Sequence, residues 1–196
     1  YDMERAAEWT AALSRWCESR PELVAFRGQC RTRRAQILEL RGDWPGALDE
    51  ARRACELLTR RGGEPAAGDA FYRQAELHRL RGEHARAEEA FREAGRRGGA
   101  IQPGMALLML ARGEVETAEA ALRRAADDAG DRASRCRILP ALVDVLLAAG
   151  DVSGARAGAD ELSGHAEALD ARLVRASAAR ARGAVGLAEG AARTAL

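Results

Sequence analysis

Lysine and asparagine are absent from this chain of 196 residues, so all 31 of its basic side chains are arginines. We interpret this as the codon usage of a GC-rich genome, with selection for the planar guanidinium group as the alternative. The arginines face 30 acidic residues, which leaves a formal net charge of +1. A chain with this balance lacks the overall positive field by which proteins attract nucleic acids or anionic membranes.

Cysteine, histidine and long apolar segments are also scarce. The four cysteines form no C-x-x-C pair, which predicts reduced thiols in a cytoplasmic protein. The three histidines are too scattered along the chain to predict a metal site. No segment approaches the roughly 18 consecutive apolar residues of a membrane span, and we expect no signal peptide. The sequence therefore predicts no metal, no cofactor and no membrane partner.

The sequence also lacks the short motifs that are common in enzymes. It contains no G-x-S-x-G, no P-loop and no G-x-G-x-x-G. Adjacent carboxylates occur at Glu88–Glu89 and Asp127–Asp128. Neighbours on a helix diverge by about 100° and do not face a single substrate. We therefore predict that the chain is not an enzyme.

What the sequence has instead is a phrase that recurs five times, for example LRGEHARAEEAF at residues 80–91. Each copy carries a glycine and, five residues later, an alanine. The five pairs are Gly42 and Ala47, Gly82 and Ala87, Gly113 and Ala118, Gly150 and Ala155, and Gly190 and Ala195. Successive glycines are 40, 31, 37 and 40 residues apart, a spacing typical of helical-hairpin repeats.

The residues of this phrase favour a tight turn between two helices. A glycine just past a helix adopts the left-handed conformation at little steric cost. The acidic residue that follows four of the glycines suits the N-terminus of the next helix. These residues are Asp43, Glu83, Glu114 and Asp151. The alanine that comes later in the phrase allows two helices to approach closely.

This pattern predicts a chain made of helices alone. Helices are expected over residues 3–18, 22–41, 44–60, 65–81, 84–97, 103–112, 115–129, 132–149, 152–166 and 169–189, and from 192 onward. Pro140 is expected to kink or restart the helix over 132–149. We predict an all-α, right-handed α-solenoid that forms a single domain of residues 1–196, with the last of about five repeats truncated.

The register of the phrase resembles the second half of a tetratricopeptide repeat. A large apolar residue stands nine residues after the glycine at Phe91 and Leu122, and an alanine stands twelve residues after it at Ala54, Ala94 and Ala125. The two intervals of 40 residues are well above the usual 34, and the proline that closes such repeats is missing. The resemblance implies tetratricopeptide-like helical hairpins over most of the chain.

Two longer stretches carry a more specific resemblance. FYRQAELHRLRGEHARAEEAFREAGRRGGAIQPGMALLMLARGEVETAEAALRRA and RCRILPALVDVLLAAGDVSGARA are similar to the tetratricopeptide region of actinobacterial LuxR-type transcriptional regulators. That family implies a DNA-binding helix-turn-helix at the C-terminal end, and no segment of this chain resembles one. The resemblance therefore implies a regulatory module whose DNA contacts belong to another domain. A stand-alone scaffold or adaptor, including a homo-oligomer, is the alternative.

The same resemblance places candidate binding residues on the concave wall of the repeats. They stand thirteen, ten, six and three residues before each glycine. This rule selects Gln29, Thr32, Gln36 and Glu39 in the first repeat, Asp69, Tyr72, Glu76 and Arg79 in the second, and Arg137, Asp144, Ser177 and Arg180 in later ones. The alternative is a solvated polar surface without a ligand.

The charges of these positions narrow the expected partner. The resemblance associates chaperone-tail binding with lysine and asparagine, and both are missing here. Glu39, Asp69 and Glu76 would also repel a carboxylate. We therefore expect a protein or peptide that carries both signs of charge, with a small polar effector as the alternative.

Overall fold

The computed structural model describes residues 3–19, 24–59, 65–169 and 171–190, which form ten α-helices and no β-strand. This confirms the all-α class. The helices are α1 (Met3–Glu18), α2 (Val24–Leu40), α3 (Trp44–Thr59), α4 (Pro65–Leu80), α5 (His84–Arg96), α6 (Gly104–Ala111), α7 (Val115–Asp127), α8 (Arg132–Ala148), α9 (Val152–Leu169) and α10 (Arg172–Ala188).

The helix boundaries lie within a few residues of those expected from the sequence. The largest differences concern α9, which continues to Leu169 instead of ending at 166, and α10, which begins at Arg172 instead of 169. Pro140 lies inside α8, and the helix continues past it, so of the two expected outcomes, a kink or a restart, the restart does not occur. One missing amide donor is tolerated here because the flanking Leu139 and Ala141 are buried in the core. The helix expected from 192 onward lies outside the described residues.

All five repeat glycines have a positive φ, between +73° and +83°. Four of them end a helix with the same hydrogen bond, in which the amide after the glycine donates to a carbonyl five residues earlier. At Gly82, for example, the Glu83 amide donates to the His78 carbonyl over 2.9 Å. This is the hydrogen bond of a Schellman motif, which satisfies a carbonyl that the helix end would leave open. Ala47, Ala87, Ala118 and Ala155 are completely buried, and Ala195 lies outside the described residues.

The acidic residues after the glycines divide into two types. Asp43 and Asp151 cap the next helix, because their Oδ1 atoms accept hydrogen bonds from the amides of Gly46 and Gly154, at 3.0 and 2.8 Å. The side chains of Glu83 and Glu114 form no such cap. A glutamate has one more methylene than an aspartate, so its carboxylate does not return as easily to the first turn of its own helix.

We expect Asp151→Ala to lower the free energy of unfolding by about 1 kcal/mol, the usual contribution of an N-cap. Asp151 also contacts Arg123 at 3.2 Å, so Asp151→Asn, which keeps a capping oxygen, separates the cap from the ion pair. Glu114→Ala is the matched control, with an expected change within about 0.5 kcal/mol. Urea denaturation followed by circular dichroism measures all three. Equal losses for Asp151→Ala and Glu114→Ala would contradict the distinction between the two acidic residues.

The chain divides into two compact units, which we call the N-terminal unit (2–104) and the C-terminal unit (105–196). In the N-terminal unit α2 packs on α3, α3 on α4, α4 on α5, and α1 on α2; α2 also contacts α4 directly. Its core includes two buried clusters, one around Ala35, Ala47 and Leu77 and the other around Leu58 and Ala67.

In the C-terminal unit α7 packs on α8, α8 on α9 and α9 on α10, and α8 contacts α10 directly. A buried cluster that includes Leu122, Leu146 and Leu162 joins these helices. Within each unit, therefore, helices that begin neighbouring hairpins lie side by side. This arrangement brings together residues that are about one repeat apart in the sequence, such as those of α2 and α4.

Candidate functional site

A cleft of about 540 Å³ opens in the N-terminal unit. Ligand sites in proteins usually have volumes of about 300–1,000 Å³, so the cleft has the size of such a site. It is lined by Thr10 and Leu13 of α1, Phe26, Gln29, Cys30, Thr32 and Arg33 of α2, Ala66 and Asp69 of α4, and Gly98, Gly99 and Ala100 after α5. Three of the candidate binding residues, Gln29, Thr32 and Asp69, therefore meet in one place.

The floor of the cleft includes buried side chains of α2. Thr32 is buried, and its hydroxyl donates to the carbonyl of Gly28 over 3.1 Å. Cys30 is buried beside it. Along one side, α4 approaches the segment after α5 so closely that a Cβ on Gly68 would lie 2.7 Å from both the Cα and the amide nitrogen of Gly99. Two glycines thus let the backbones that form this wall touch.

The rim of the cleft carries apolar and charged groups together. Phe26 is 59% exposed and Leu13 is 47% exposed, although both line the cleft. Arg33 and Asp69 are exposed, and neither forms an ion pair within the part of the chain that the structure describes. By contrast, Arg31 contacts the buried Glu50 at 2.7 Å. The cleft therefore presents an apolar surface with one open charge of each sign.

A second group of candidate residues forms an ionic network between α2 and α4. Glu76 accepts hydrogen bonds from the guanidinium of Arg79 at 3.0 and 3.1 Å. Glu39 lies 3.5 Å from Arg73, but among the described residues its buried Oε2 atom accepts no hydrogen bond. Burial raises the pKa of the Glu39 carboxyl above its ordinary value of 4.5, although the charge of Arg73 opposes this effect. These charges largely satisfy one another instead of facing solvent.

We expect Glu39→Gln to raise the stability of the chain at pH 7 by up to about 1 kcal/mol, the scale of one net hydrogen bond. A folded-state pKa above 4.5 means that the protonated form is favoured, so stability is lost as the pH rises through the folded pKa. Glutamine mimics the protonated form, and its advantage should disappear near pH 4. Melting temperatures between pH 4 and 8 test this, with the exposed Glu56→Gln as control. A constant difference across this range would contradict the expectation.

Tyr72, another candidate binding residue, belongs to the core instead of an open wall. Its side chain is buried, and its hydroxyl accepts a hydrogen bond from the Gly104 amide over 3.2 Å. Its ring meets Phe91 edge to face, with ring centroids 5.5 Å apart. Arg73 lies over the same ring. Tyr72 thus positions the segment after α5. Gln36, another candidate binding residue, is half-buried on α2, between Arg33 of the cleft and Glu39 of the ionic network.

The C-terminal unit contains the remaining candidate residues. Arg180 donates two hydrogen bonds to the carboxylate of Asp144, both at 3.0 Å, and so joins α10 to α8. Arg137 is exposed on α8, and Ser177 is half-buried on α10. Asp144 and Arg180 were selected as ligand contacts, but the structure pairs them with each other across neighbouring helices.

One histidine, His78, and two cysteines, Cys30 and Cys55, are buried. His78 is buried, with its Nδ1 atom 2.6 Å from Glu83, and this contact lowers the pKa of the Glu83 carboxyl. Burial raises the pKa of the Cys55 thiol to about 12, which makes it a poor nucleophile at neutral pH. Within the described ranges no three His, Cys, Asp or Glu side chains are grouped to hold a metal ion. No helix described here is long and apolar enough to cross a membrane.

Sequence reasoning missed several residues of the cleft, above all Phe26, Arg33 and Leu13. Phe26 and Arg33 lie on α2, one helical turn before and after Gln29, so the spacing of the repeat could have indicated them. Leu13 comes from α1, which precedes the first repeat phrase and has no position in its register. No signal in the sequence could have placed it there.

Three comparisons of this chain with known proteins found no match. No family model matches it. No curated protein and no solved structure is significantly similar to it either.

Proposed function

We infer that this chain is a non-catalytic binding module, built as a tetratricopeptide-like α-solenoid, that captures a polypeptide segment. The recurring Gly-to-Ala register supports this architecture, as do the five left-handed glycines and the direct contacts of α2 with α4 and of α8 with α10. In such repeats the first helices of neighbouring hairpins form the wall that contacts a ligand.

The single observation that carries the binding proposal is the cleft in the N-terminal unit. Its exposed Phe26 offers an apolar anchor, while Arg33 and Asp69 offer one open charge of each sign. A peptide with an apolar side chain flanked by an acidic and a basic residue complements this surface. The ionic network around Glu76 and Arg79 is a weaker candidate, because its charges are already paired.

A random peptide library displayed on phage and selected against the immobilised chain tests this proposal. Peptides that are enriched should bind Arg33→Glu and Asp69→Arg at least about tenfold more weakly than the wild type. Arg52→Glu is the matched control, because Arg52 is exposed on α3 and does not line the cleft. The proposal fails if no peptide is enriched, or if the three variants bind the enriched peptides equally.

The proposed cellular role is the regulatory part of a LuxR-type transcriptional regulator. It is supported by the two sequence stretches that resemble that family, and it places DNA contacts in a domain outside these 196 residues. Ligand capture would then bias the attached domain by favouring one conformation of the repeats. Reading the gene beyond the codon for Leu196 is the direct test. A helix-turn-helix is expected there, and a stop codon without one would remove this part of the proposal.

A further inference from the structure

One wall of the cleft consists almost entirely of main chain. Gly98, Gly99 and Ala100 line the cleft in succession, and the methyl group of Ala100 is their one side-chain group. We call these three residues the 98–100 wall. Gly98 and Ala100 are exposed, and a Cβ on Gly98 would meet nothing within 4 Å. The main chain of the wall is therefore uncovered where it borders the cleft.

Four hydrogen-bonding groups of the 98–100 wall are open. The Gly98 amide donates to the carbonyl of Gly95 over 3.0 Å, and the Gly99 amide donates to that of Ala94 over 2.9 Å. Among the described residues, nothing bonds to the Ala100 amide or to the carbonyls of Gly98, Gly99 and Ala100. Most backbone groups of a folded protein are paired within the chain. The wall therefore offers a ligand three acceptors and one donor.

Direct backbone contact places the 98–100 wall beside α4. A Cβ on Gly99 would lie 2.8 Å from the Cα and the carbonyl carbon of Gly68, and 3.1 Å from the carbonyl oxygen of Ala94 in the last turn of α5. Because these contacts join backbones, they set the position of the wall relative to both helices. Groups that are already in position lose less conformational entropy when they bind a ligand.

The open groups limit which ligands can fill the cleft. A ligand that displaces water from them must replace the lost hydrogen bonds or leave buried polar groups unpaired. An extended peptide can replace them, because every second residue presents both its N–H and its C=O to the same edge. A helical ligand cannot, since its amides bond its own carbonyls except in the first turn.

We propose that the 98–100 wall binds the main chain of an extended peptide. Ligand amides donate to the carbonyl oxygens of the wall, and the Ala100 amide donates to a ligand carbonyl. This inference rests on the proposed peptide binding and adds to it. The side chains of Phe26, Arg33 and Asp69 select ligand side chains, whereas the wall selects the extended conformation whatever the sequence of the ligand.

Chemical changes to the ligand main chain test this proposal. The probe is a synthetic peptide with the sequence of the phage clone most enriched on the immobilised 196-residue chain. N-methylation of each amide in turn removes one donor, and isothermal titration calorimetry measures the dissociation constant. Affinity should fall about tenfold at every second position of the bound segment and change little between them, because alternate amides point to opposite edges. Esters at the same positions, which remove the donor without adding a methyl group, are the matched control and should give the same alternation.

Exchange of the Ala100 amide with water tests the same contact from the side of the protein. This amide is open in the free chain, so saturating peptide should slow its exchange, measured by nuclear magnetic resonance, by about tenfold. Gly130 is the matched control. It is exposed between α7 and α8, and its amide is also without a hydrogen bond within the described ranges. Its exchange should not change. The measurement needs no substitution, so no variant can fail to fold.

The outcomes separate this inference from the proposed function. A peptide that binds but loses affinity equally at every modified position, or at none, would overturn main-chain recognition and leave peptide binding in place. An Ala100 amide whose exchange is unchanged by the bound peptide would do the same. If the selection enriches no peptide, the proposed function fails, and this inference fails with it.

Discussion

Phe91→Ala is expected to lower the free energy of unfolding by about 3–5 kcal/mol, the usual cost of removing a fully buried phenylalanine ring. Phe91 has no exposed surface. Its ring meets Tyr72 edge to face, and it also packs so closely on Gly104 that a Cβ there would overlap it. Removing the ring therefore leaves a cavity and also takes away the support that holds Tyr72 under the Gly104 amide.

The matched control is the same substitution at Phe26, which is 59% exposed at the rim of the cleft. We expect Phe26→Ala to change stability by less than about 1 kcal/mol, because little buried surface is lost, but to weaken peptides selected on the cleft. Urea denaturation of the two variants side by side measures the difference. Equal losses would show that burial of Phe91 contributes much less than its position in the core indicates.

The helices and the turns between them could be predicted from the sequence because they rest on local chemistry. A left-handed turn needs glycine, and a close helix crossing needs a small side chain, so Gly82 and Ala87 signal both features by identity alone. The all-helical class and most helix ends follow from such signals. The effect of Pro140 was harder to judge, because tertiary packing on both sides of it holds α8 together.

The candidate site was only partly predictable. Repeat spacing selected Gln29, Thr32 and Asp69 as candidates, and in the structure all three line one cleft. It did not reveal that Tyr72 is part of the core, or that Asp144 and Arg180 satisfy each other. Both outcomes depend on which helices lie side by side. Pairing of that kind is set by the packing of whole helices and has no signature within a single one.

The contact between Gly68 and Gly99 illustrates the same point. In the sequence Gly68 is an unfavourable residue within a helix, and Gly99 belongs to a flexible-looking glycine pair. In the structure both positions require glycine, because the backbone of each lies directly against the backbone of the other. A Cβ on Gly68 would lie 2.7 Å from two backbone atoms of Gly99, and a Cβ on Gly99 would lie 2.8 Å from two backbone atoms of Gly68. Backbone atoms cannot rotate away as a side chain can, so the strain must be taken up by moving a helix.

Gly68→Ala is therefore expected to lower the free energy of unfolding by about 2–3 kcal/mol, even though alanine normally stabilises a helix by about 1 kcal/mol relative to glycine. Because Gly99 also lines the cleft, the same variant should bind selected peptides more weakly. Gly95→Ala is the matched control. Gly95 is exposed on α5, and a Cβ there meets only the side chain of Ile101, at 3.4 Å, so no loss is expected. Urea denaturation that gives the two variants the same midpoint would show that α4 can move away from Gly99 at no cost.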